Sequence, residues 1–205
     1  MQTPGHVVLP SRYCGILFRS RLEARWAVFL DYLQIPFHYE IEGFRLRSGN
    51  YLPDFFLPNL QCFVEIKPSR PSNQETNLAL DLARASNKIV YIFWGPIECP
   101  SSSRNKGINS AWAFSPSGEI TTNHYWSECP KCGAISIQQN GYIKQSACQC
   151  PPPLSHYTAE RRRILDAYNA AAAYRFDGQR SQINLYPVRV LDCIISLFRS
   201  SIGYR

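Results

Sequence analysis

Long hydrophobic runs are missing from this chain. No apolar stretch approaches the roughly 20 residues that a membrane-spanning helix needs, so no membrane role is expected. The segment Met1-Gln2-Thr3-Pro4-Gly5-His6 lacks the charged start and apolar stretch of a secretory signal, and a cytoplasmic, thiol-reducing setting is expected. No internal repeat is evident. Lysine is scarce, at five residues against seventeen arginines, and 15 acidic residues stand against 22 basic ones. What is present is a chain of 205 residues, 45% hydrophobic, with a net charge of +7. That suffices for one or two domains with a sizeable core. An arginine-rich excess suits a polyanionic partner, since guanidinium groups bind phosphate in bidentate fashion.

Tyr51-Leu52-Pro53-Asp54 is followed, eleven residues after the aspartate, by Glu65-Ile66-Lys67. Between them, Pro58-Asn59-Leu60-Gln61 has the composition of a tight turn joining two apolar runs. With the turn centred on Asn59/Leu60, facing residues of an antiparallel pair have numbers summing to 119. Asp54 then opposes Glu65, Leu52 opposes Lys67 and Phe56 opposes Phe63, with opposed Cβ atoms about 5 Å apart. The other face carries Phe55 against Val64, Leu57 against Cys62 and Pro53 against Ile66, which is wholly apolar. Two carboxylates held so close repel each other and raise their pKa values unless a positive charge intervenes. A divalent cation resolves the conflict, and oxygen-only ligands suit Mg²⁺ or Mn²⁺. Lys67, on the same face, would orient or deprotonate an attacking water, or neutralise charge in the transition state. The plain alternative is a surface hairpin with a cross-strand Glu/Lys pair.

Leu22, Trp26, Phe29, Leu30 and Leu33 repeat at helical spacing between Ser20 and Gln34, and Glu23 borders that stripe. Glu23 is either a third carboxylate of the site or the reciprocal partner of Ser20 in a capping box. Further elements are expected as a strand over Phe37–Arg47, a helix over about Asn73–Ala85 capped at Ser72 or Asn73, and a strand over Lys88–Trp94.

Glu23, Pro53-Asp54 and Glu65-Ile66-Lys67, in αβββαβ order, resemble the PD-(D/E)XK nuclease superfamily over roughly residues 12–96. The phrase Arg19-Ser20-Arg21-Leu22-Glu23-Ala24-Arg25-Trp26 is similar to one in small phage, plasmid and bacterial nuclease-like proteins. The resemblance implies a restriction-endonuclease-like α/β core with a mixed sheet. It implies that Asp54, Glu65 and the backbone carbonyl of Ile66 ligate one or two Mg²⁺ ions, with Glu23 assisting through water. The implied reaction is phosphodiester hydrolysis by metal-activated water, with Glu23, Asp54, Glu65 and Lys67 as the catalytic set. The chain departs from the RecB-like branch in offering no Gln-x-x-x-Tyr pattern after Lys67, which leaves Gln74 and Lys88 without an assigned role.

Of eight cysteines, Cys14, Cys62, Cys99 and Cys193 are scattered. The others form Cys129-Pro130-Lys131-Cys132-Gly133 and Cys148-Gln149-Cys150, which reads as a structural Zn²⁺ site. Ala134–Gln138 and Tyr142–Gln145, around Gln139-Asn140-Gly141, read as the hairpin of a zinc ribbon. Because Cys-x-Cys is tighter than Cys-x-x-Cys, Cys99, His124 or His156 stand as substitutes for one thiolate; disulfides or free thiols are the alternative to zinc.

Cys99–Gly107 reads as a polar connector, and Ala111–Phe114 with Glu119–Thr122 as a hairpin extending or flanking the sheet. A helix expected from Thr158 to Tyr174 or Phe176 carries Arg161, Arg162 and Arg163, either as nucleic-acid contacts or as a solvated surface. Its apolar stripe is Ile164, Leu165, Tyr168, Ala171 and Ala172. Leu191, Ile194, Ile195, Phe198 and Ile202 repeat at helical spacing, a face for intramolecular packing, a homodimer seam or a partner protein.

The expected organisation is a nuclease core (12–96), a connecting loop and hairpin (97–127), a zinc-ribbon lobe (128–153) and a C-terminal helical tail (154–205). The expected function is an endonuclease acting on DNA with Mg²⁺ or Mn²⁺, with a homodimer as the arrangement that supplies the two active sites needed to cut both strands. The alternatives are a catalytically silent nucleic-acid-binding adaptor and a zinc-ribbon interaction module in a larger complex.

Overall fold

The computed structural model describes residues 10–98, 110–139, 148, 150 and 162–176. It opens on a small antiparallel hairpin, β1 (Ser11–Tyr13) and β2 (Ile16–Phe18). Its turn is Cys14-Gly15, both at positive φ (47° and 82°), the twist that a two-residue hairpin loop demands. Helix α1 (Arg21–Tyr32) follows from Ser20, whose hydroxyl accepts the Glu23 N–H at 3.1 Å as the N-cap. It buries Glu23, Ala24 and Trp26 through Leu30. The hairpin is tied to it where the Tyr13 hydroxyl donates to Asp31 Oδ2 at 2.6 Å.

The single strand expected over Phe37–Arg47 is two pieces, β3 (His38–Tyr39) and β4 (Phe44–Leu46). Glu40, at φ 47°, turns the chain out of the extended conformation between them, and its N–H is held by the Asp54 carbonyl at 2.9 Å. β4 instead pairs with β5 (Gly49–Tyr51) as a separate two-stranded hairpin.

β6 (Phe55–Leu57) and β7 (Cys62–Lys67) pair antiparallel with Phe55 opposite Val64, Phe56 opposite Phe63 and Leu57 opposite Cys62, the register derived from the turn. Leu60 N–H closes the turn onto the Leu57 carbonyl at 3.2 Å, with Gln61 at φ 50°. Helix α2 (Asn73–Ser86) starts from a complete capping box between Ser72 and Glu75 and ends on Asn87 in the left-handed conformation. It carries the chain to β8 (Ile89–Trp94), parallel to β7. Two further strands, β9 (Ala111–Phe114) and β10 (Ile120–Glu128), extend the sheet as expected, and β11 (Ile135–Gln139) follows. Helix α3 (Arg162–Ala173) completes the described chain.

The result is a mixed α/β architecture around a seven-stranded sheet in the order β11-β10-β9-β8-β7-β6-β3, parallel only at β7–β8. On one face, α1 and α3 cover Phe55, Val64, Phe93 and Trp126. The aromatic rings of Trp26, Phe29, Phe93, Trp126 and Tyr168 pack edge-on and stacked at 4.5–6.2 Å between centroids. On the other face, α2 and the β4–β5 hairpin cover Phe56, Phe63, Val90 and Ile92. Both faces of the Asp54/Glu65 hairpin are therefore covered for most of their length, where the sequence suggests one apolar and one charged face. Alternation along two strands does not reveal that α2 returns over the second face.

The Cys129–Gly133 knuckle is the turn of the β10–β11 hairpin, and β10–β11 continues the central sheet. The lobe boundary expected at residue 128 therefore falls inside a hairpin of the sheet: the knuckle reads locally as a ribbon, but β10 finds its second partner in β9. In α3 the buried residues are Ile164, Ala167, Tyr168 and Ala171, the i, i+3, i+4, i+7 set, with Leu165 and Ala172 at the margin. Arg25 Nη1 donates to the Ala172 carbonyl at the end of that helix, tying α3 to α1. The second ribbon strand at Tyr142–Gln145, the connector at Cys99–Gly107, Thr158, Arg161 and the Leu191–Ile202 face lie outside the described residues.

His124 on β10 is buried, at 8% exposed, with Nε2 2.7 Å from Thr121 Oγ1 and Nδ1 without a partner. Burial lowers its pKa to about 4. Because the folded value lies below the unfolded one, the stability it contributes is full above about pH 6.5 and is lost as pH falls towards 4, since the unfolded chain binds the proton first. Urea unfolding at pH 7 and pH 4.5 is expected to show a loss of at most about 3 kcal/mol from this residue. A His124→Leu variant should show a correspondingly smaller acid dependence.

Candidate functional site

The head of the hairpin, at the carboxyl end of β7, gathers the ionisable groups. Asp54 stands just before β6, and Glu65 and Lys67 are alternate residues of β7. Asp54 and Glu65 are each 2% exposed, and Glu23 is 8% exposed. The carboxylates are locked by reciprocal bonds along the strand pair. Asp54 N–H donates to Glu65 Oε2 at 3.1 Å, and Ile66 N–H donates to Asp54 Oδ2 at 2.8 Å. Ile66 thus meets Asp54 through its N–H.

Two cations balance this pair. Lys67 Nζ lies 2.6 Å from Glu65 Oε1 and 3.5 Å from Glu75 Oε1. Arg19 Nη2 donates to Asp54 Oδ1 at 2.9 Å, and its Nε pairs with Glu40. Glu23, bordering the apolar stripe of α1, bonds two hydroxyls: Ser20 Oγ at 2.7 Å and that of Tyr39. The Tyr39 oxygen also accepts the Arg19 N–H at 3.0 Å. Glu23 therefore serves the helix start and joins the network leading, through Tyr39 and Arg19, to Asp54.

The electrostatics follow from burial. Asp54's carboxyl is held well above the usual range by burial first, then by the charges of Glu65 and Glu23, with the Ile66 bond and Lys67 opposing. For Lys67, burial works against the charge, but Glu65, with Asp54 and Glu75, overrides it and holds the ammonium above its ordinary value. Burial, with the nearby charges of Glu65 and Asp54, pushes the Tyr51 phenol well up, so it stays protonated.

Arg19, Tyr39, Glu40, Tyr51 and Glu75 are members that sequence reasoning missed. Arg19 lies one residue before the Ser20 cap, and no spacing rule tells which arginine of Arg19-Ser20-Arg21 turns towards Asp54. Gln74 is exposed, and Lys88 sits away from the site with Nζ on Gln61 Oε1 at 3.0 Å.

The second cluster is Cys129, Cys132, Cys148 and Cys150, whose sulfurs all lie within 4.8 Å of one another. Four cysteines so placed could bind a metal such as zinc, for which sulfurs at about 2.3 Å from the ion stand about 3.8 Å apart. The backbone N–H groups of Cys132 and Lys131 turn towards Cys129 and bring its thiol down to about 6. Hydrogen bonds with Cys132 and Cys148 push Cys150 up to about 12. Crowded thiols cannot all ionise without a cation among them. No histidine is needed: His124 is engaged with Thr121 and Tyr91, while Cys99 and His156 lie outside the described residues.

Of the arginine triplet, Arg163 is held by the fold. Its Nη2 donates to the Leu33 carbonyl at 2.9 Å, and its Nη1 reaches the Gly133 carbonyl at 3.3 Å and Glu128 at 3.7 Å. Arg162 is 95% exposed and lies 3.7 Å from Asp166 one turn on. No protein-family model matches this chain, no curated protein matches it, and no solved structure matches it.

Proposed function

We propose that this chain is a nuclease of the PD-(D/E)XK type that hydrolyses phosphodiester bonds in DNA with Mg²⁺ or Mn²⁺. The observation that carries the reading is the buried Asp54/Glu65 pair at the carboxyl end of β7, with Lys67 on the second carboxylate. The succession of α1, the β6–β7 hairpin, α2 and β8 parallel to β7 agrees with a restriction-endonuclease-like core.

The donor set fits a hard divalent ion. The linked groups are five carboxylates (Glu23, Glu40, Asp54, Glu65 and Glu75) and two cations (Arg19 and Lys67), all-oxygen on the acidic side with negative charge in excess. Among the described residues only the cysteine quartet closes into a cluster of three or more such ligands. Asp54 and Glu65 would therefore hold the ion with few protein ligands, which suits Mg²⁺, an ion that keeps several waters and shares substrate phosphate oxygens. Bound there, the ion would lower the pKa of a water and offset charge on the phosphoryl group. Lys67, held protonated, acts as a fixed positive charge towards a pentacoordinate phosphate rather than as a base. Tyr39, itself held by Glu23, accepts the Arg19 N–H, and Arg19 places a positive charge on Asp54 Oδ1 against the burial that disfavours its ionised form.

Arg19 competes with the cation for Asp54 Oδ1. An ion pair with one partner half exposed contributes about 0.2–1 kcal/mol, so Arg19→Ala should lower the Mg²⁺ concentration for half-maximal cleavage by up to about fivefold. Titration of rate against Mg²⁺ reads this directly; an unchanged midpoint would show that Arg19 does not contest the site.

The reading is tested by cleavage of linear, single-stranded, supercoiled and branched DNA and of RNA with Mg²⁺, Mn²⁺ or chelator, for wild type, Asp54→Asn and Lys67→Ala. Metal-dependent cutting lost in both variants supports it. Binding without cutting under every condition favours the adaptor reading, for which the saturation of both carboxylates by Arg19 and Lys67 is the favouring observation. The four cysteines are assigned to one structural Zn²⁺, closed to substrate by its four ligands.

A further inference from the structure

We infer that the candidate site binds an unpaired nucleic-acid strand, with Trp94 and Trp112 as the platform on which bases stack beside the scissile phosphate. The inference deepens the nuclease reading and takes the place of the cut from it. Strand register puts the two tryptophans on the face that carries the carboxylates. Across the sheet, Glu65 faces Ile92 and Ile92 faces Trp112, while Lys67 faces Trp94. Alternation then sets Glu65, Lys67, Ile92, Trp94 and Trp112 on one side, the side on which Ile92 and Trp112 pack in the α2 cluster. With strands about 4.8 Å apart, Trp94 stands one strand from Lys67, and Trp112 two strands, about 10 Å, from Glu65.

The two indoles meet edge to face, with centroids 5.4 Å apart at 78°, and both are half-buried. Arg70, exposed and three residues past Lys67, lays its guanidinium over the Trp112 ring at 4.8 Å. This face therefore carries the carboxylates and the ammonium beside two aromatic rings, Trp112 being covered by a guanidinium plane on which a base can stack in turn. A single strand needs that combination: charge for its phosphates and π faces for its bases. A duplex keeps its base faces stacked within itself and cannot offer them to an indole. The other two tryptophans, Trp26 and Trp126, are 1% and 0% exposed in the core beneath α1, so they have no surface for a base.

That division makes the test direct. Intrinsic tryptophan fluorescence of the full chain, without added divalent cation, is followed on titration with a 12-nucleotide oligothymidylate, the matching oligouridylate and a 12-base-pair duplex. Saturable quenching by single strands is expected, with affinity reduced about tenfold or more by Trp94→Ala or Trp112→Leu and restored in part by Trp112→Phe. Arg70→Ala should weaken binding and flatten its salt dependence. Saturable quenching by either oligomer supports the platform. Absence of quenching in wild type, or duplex affinity equal to that for single strands, overturns the inference whether or not the variants fold. The cleavage assay is independent. Metal-dependent cutting with unaltered affinity in folded tryptophan variants removes the platform and keeps the nuclease, whereas tryptophan-dependent binding without cutting keeps the platform and removes the nuclease.

Discussion

On the proposed nuclease reading, Asp54→Asn is expected to abolish metal-dependent cleavage and, at the same time, to make the protein more stable as pH rises. The activity argument is the loss of an anionic ligand for the divalent ion. An ion that stabilises transition-state charge by several kcal/mol corresponds to a rate loss of about a thousandfold or more when it is no longer held. The stability argument comes from the same burial. Asp54 is 2% exposed, and burial with the charges of Glu65 and Glu23 raises its pKa well above the ordinary value. A carboxyl whose folded pKa lies above its unfolded one contributes stability in full below the unfolded value and loses it as pH rises through the folded value. As pH rises through that raised value, ionisation of Asp54 becomes a cost to the fold. Asparagine keeps an acceptor for the Ile66 N–H, now 2.8 Å from Asp54 Oδ2, and removes the charge. Thermal unfolding across pH 5–8 should show the variant ahead of wild type by about 1 kcal/mol or more, with a flatter dependence on pH. An inactive but stabilised variant is the signature of a residue retained for chemistry. Loss of both activity and stability would instead mark Asp54 as a structural counter-ion of Arg19.

The second large effect is expected at the cysteine quartet. Purified protein should carry one zinc per chain by elemental analysis, and Cys129→Ser or Cys132→Ser should remove it. The consequence should reach past the knuckle itself, because Cys129–Gly133 is the turn of the β10–β11 hairpin and β10 contributes Trp126, 0% exposed, to the core under α1. Metal binding that occurs only in the folded chain adds its free energy to folding, so apoprotein and serine variants should lose several kcal/mol in denaturant unfolding. Far-ultraviolet circular dichroism should show the loss as a lower unfolding midpoint of the whole sheet. If metal-free protein reacts with four more thiol equivalents yet unfolds at the same midpoint, the quartet is a surface clip rather than a structural centre.

Much of the candidate site was legible before any fold was known, and the reason is geometric. Asp54, Glu65 and Lys67 were found because a four-residue turn sets a register, and register is a counting rule. The Phe55↔Val64 and Phe56↔Phe63 pairs follow that count. The partners of those carboxylates were not legible: Arg19 arrives from 35 residues away in sequence and Tyr39 meets Glu23 from 16, and no local spacing encodes which long side chain turns inward. Glu75 shows the limit from the other side. Its capping box with Ser72 follows from local sequence, but its second role opposite Lys67 arises only where α2 starts against the end of β7.

By itself, then, the sequence determined whatever depends on neighbours within about one turn or one hairpin. That covers the Ser20 and Ser72 caps, the apolar stripe of α1, the β6–β7 register and the Cys-x-x-Cys knuckle, all set by backbone hydrogen bonding and side-chain periodicity. Only the tertiary structure decided which strand edges met. It broke the strand after Tyr39 at Glu40, folded β4–β5 over Phe63, and joined β9–β11 to the central sheet. It also set Trp94 beside Lys67 and Trp112 two strands from Glu65 on the same face. The physical reason is that an exposed strand edge accepts any partner able to satisfy its backbone groups, and the choice among partners rests on the burial of whole faces, which no short window of residues contains.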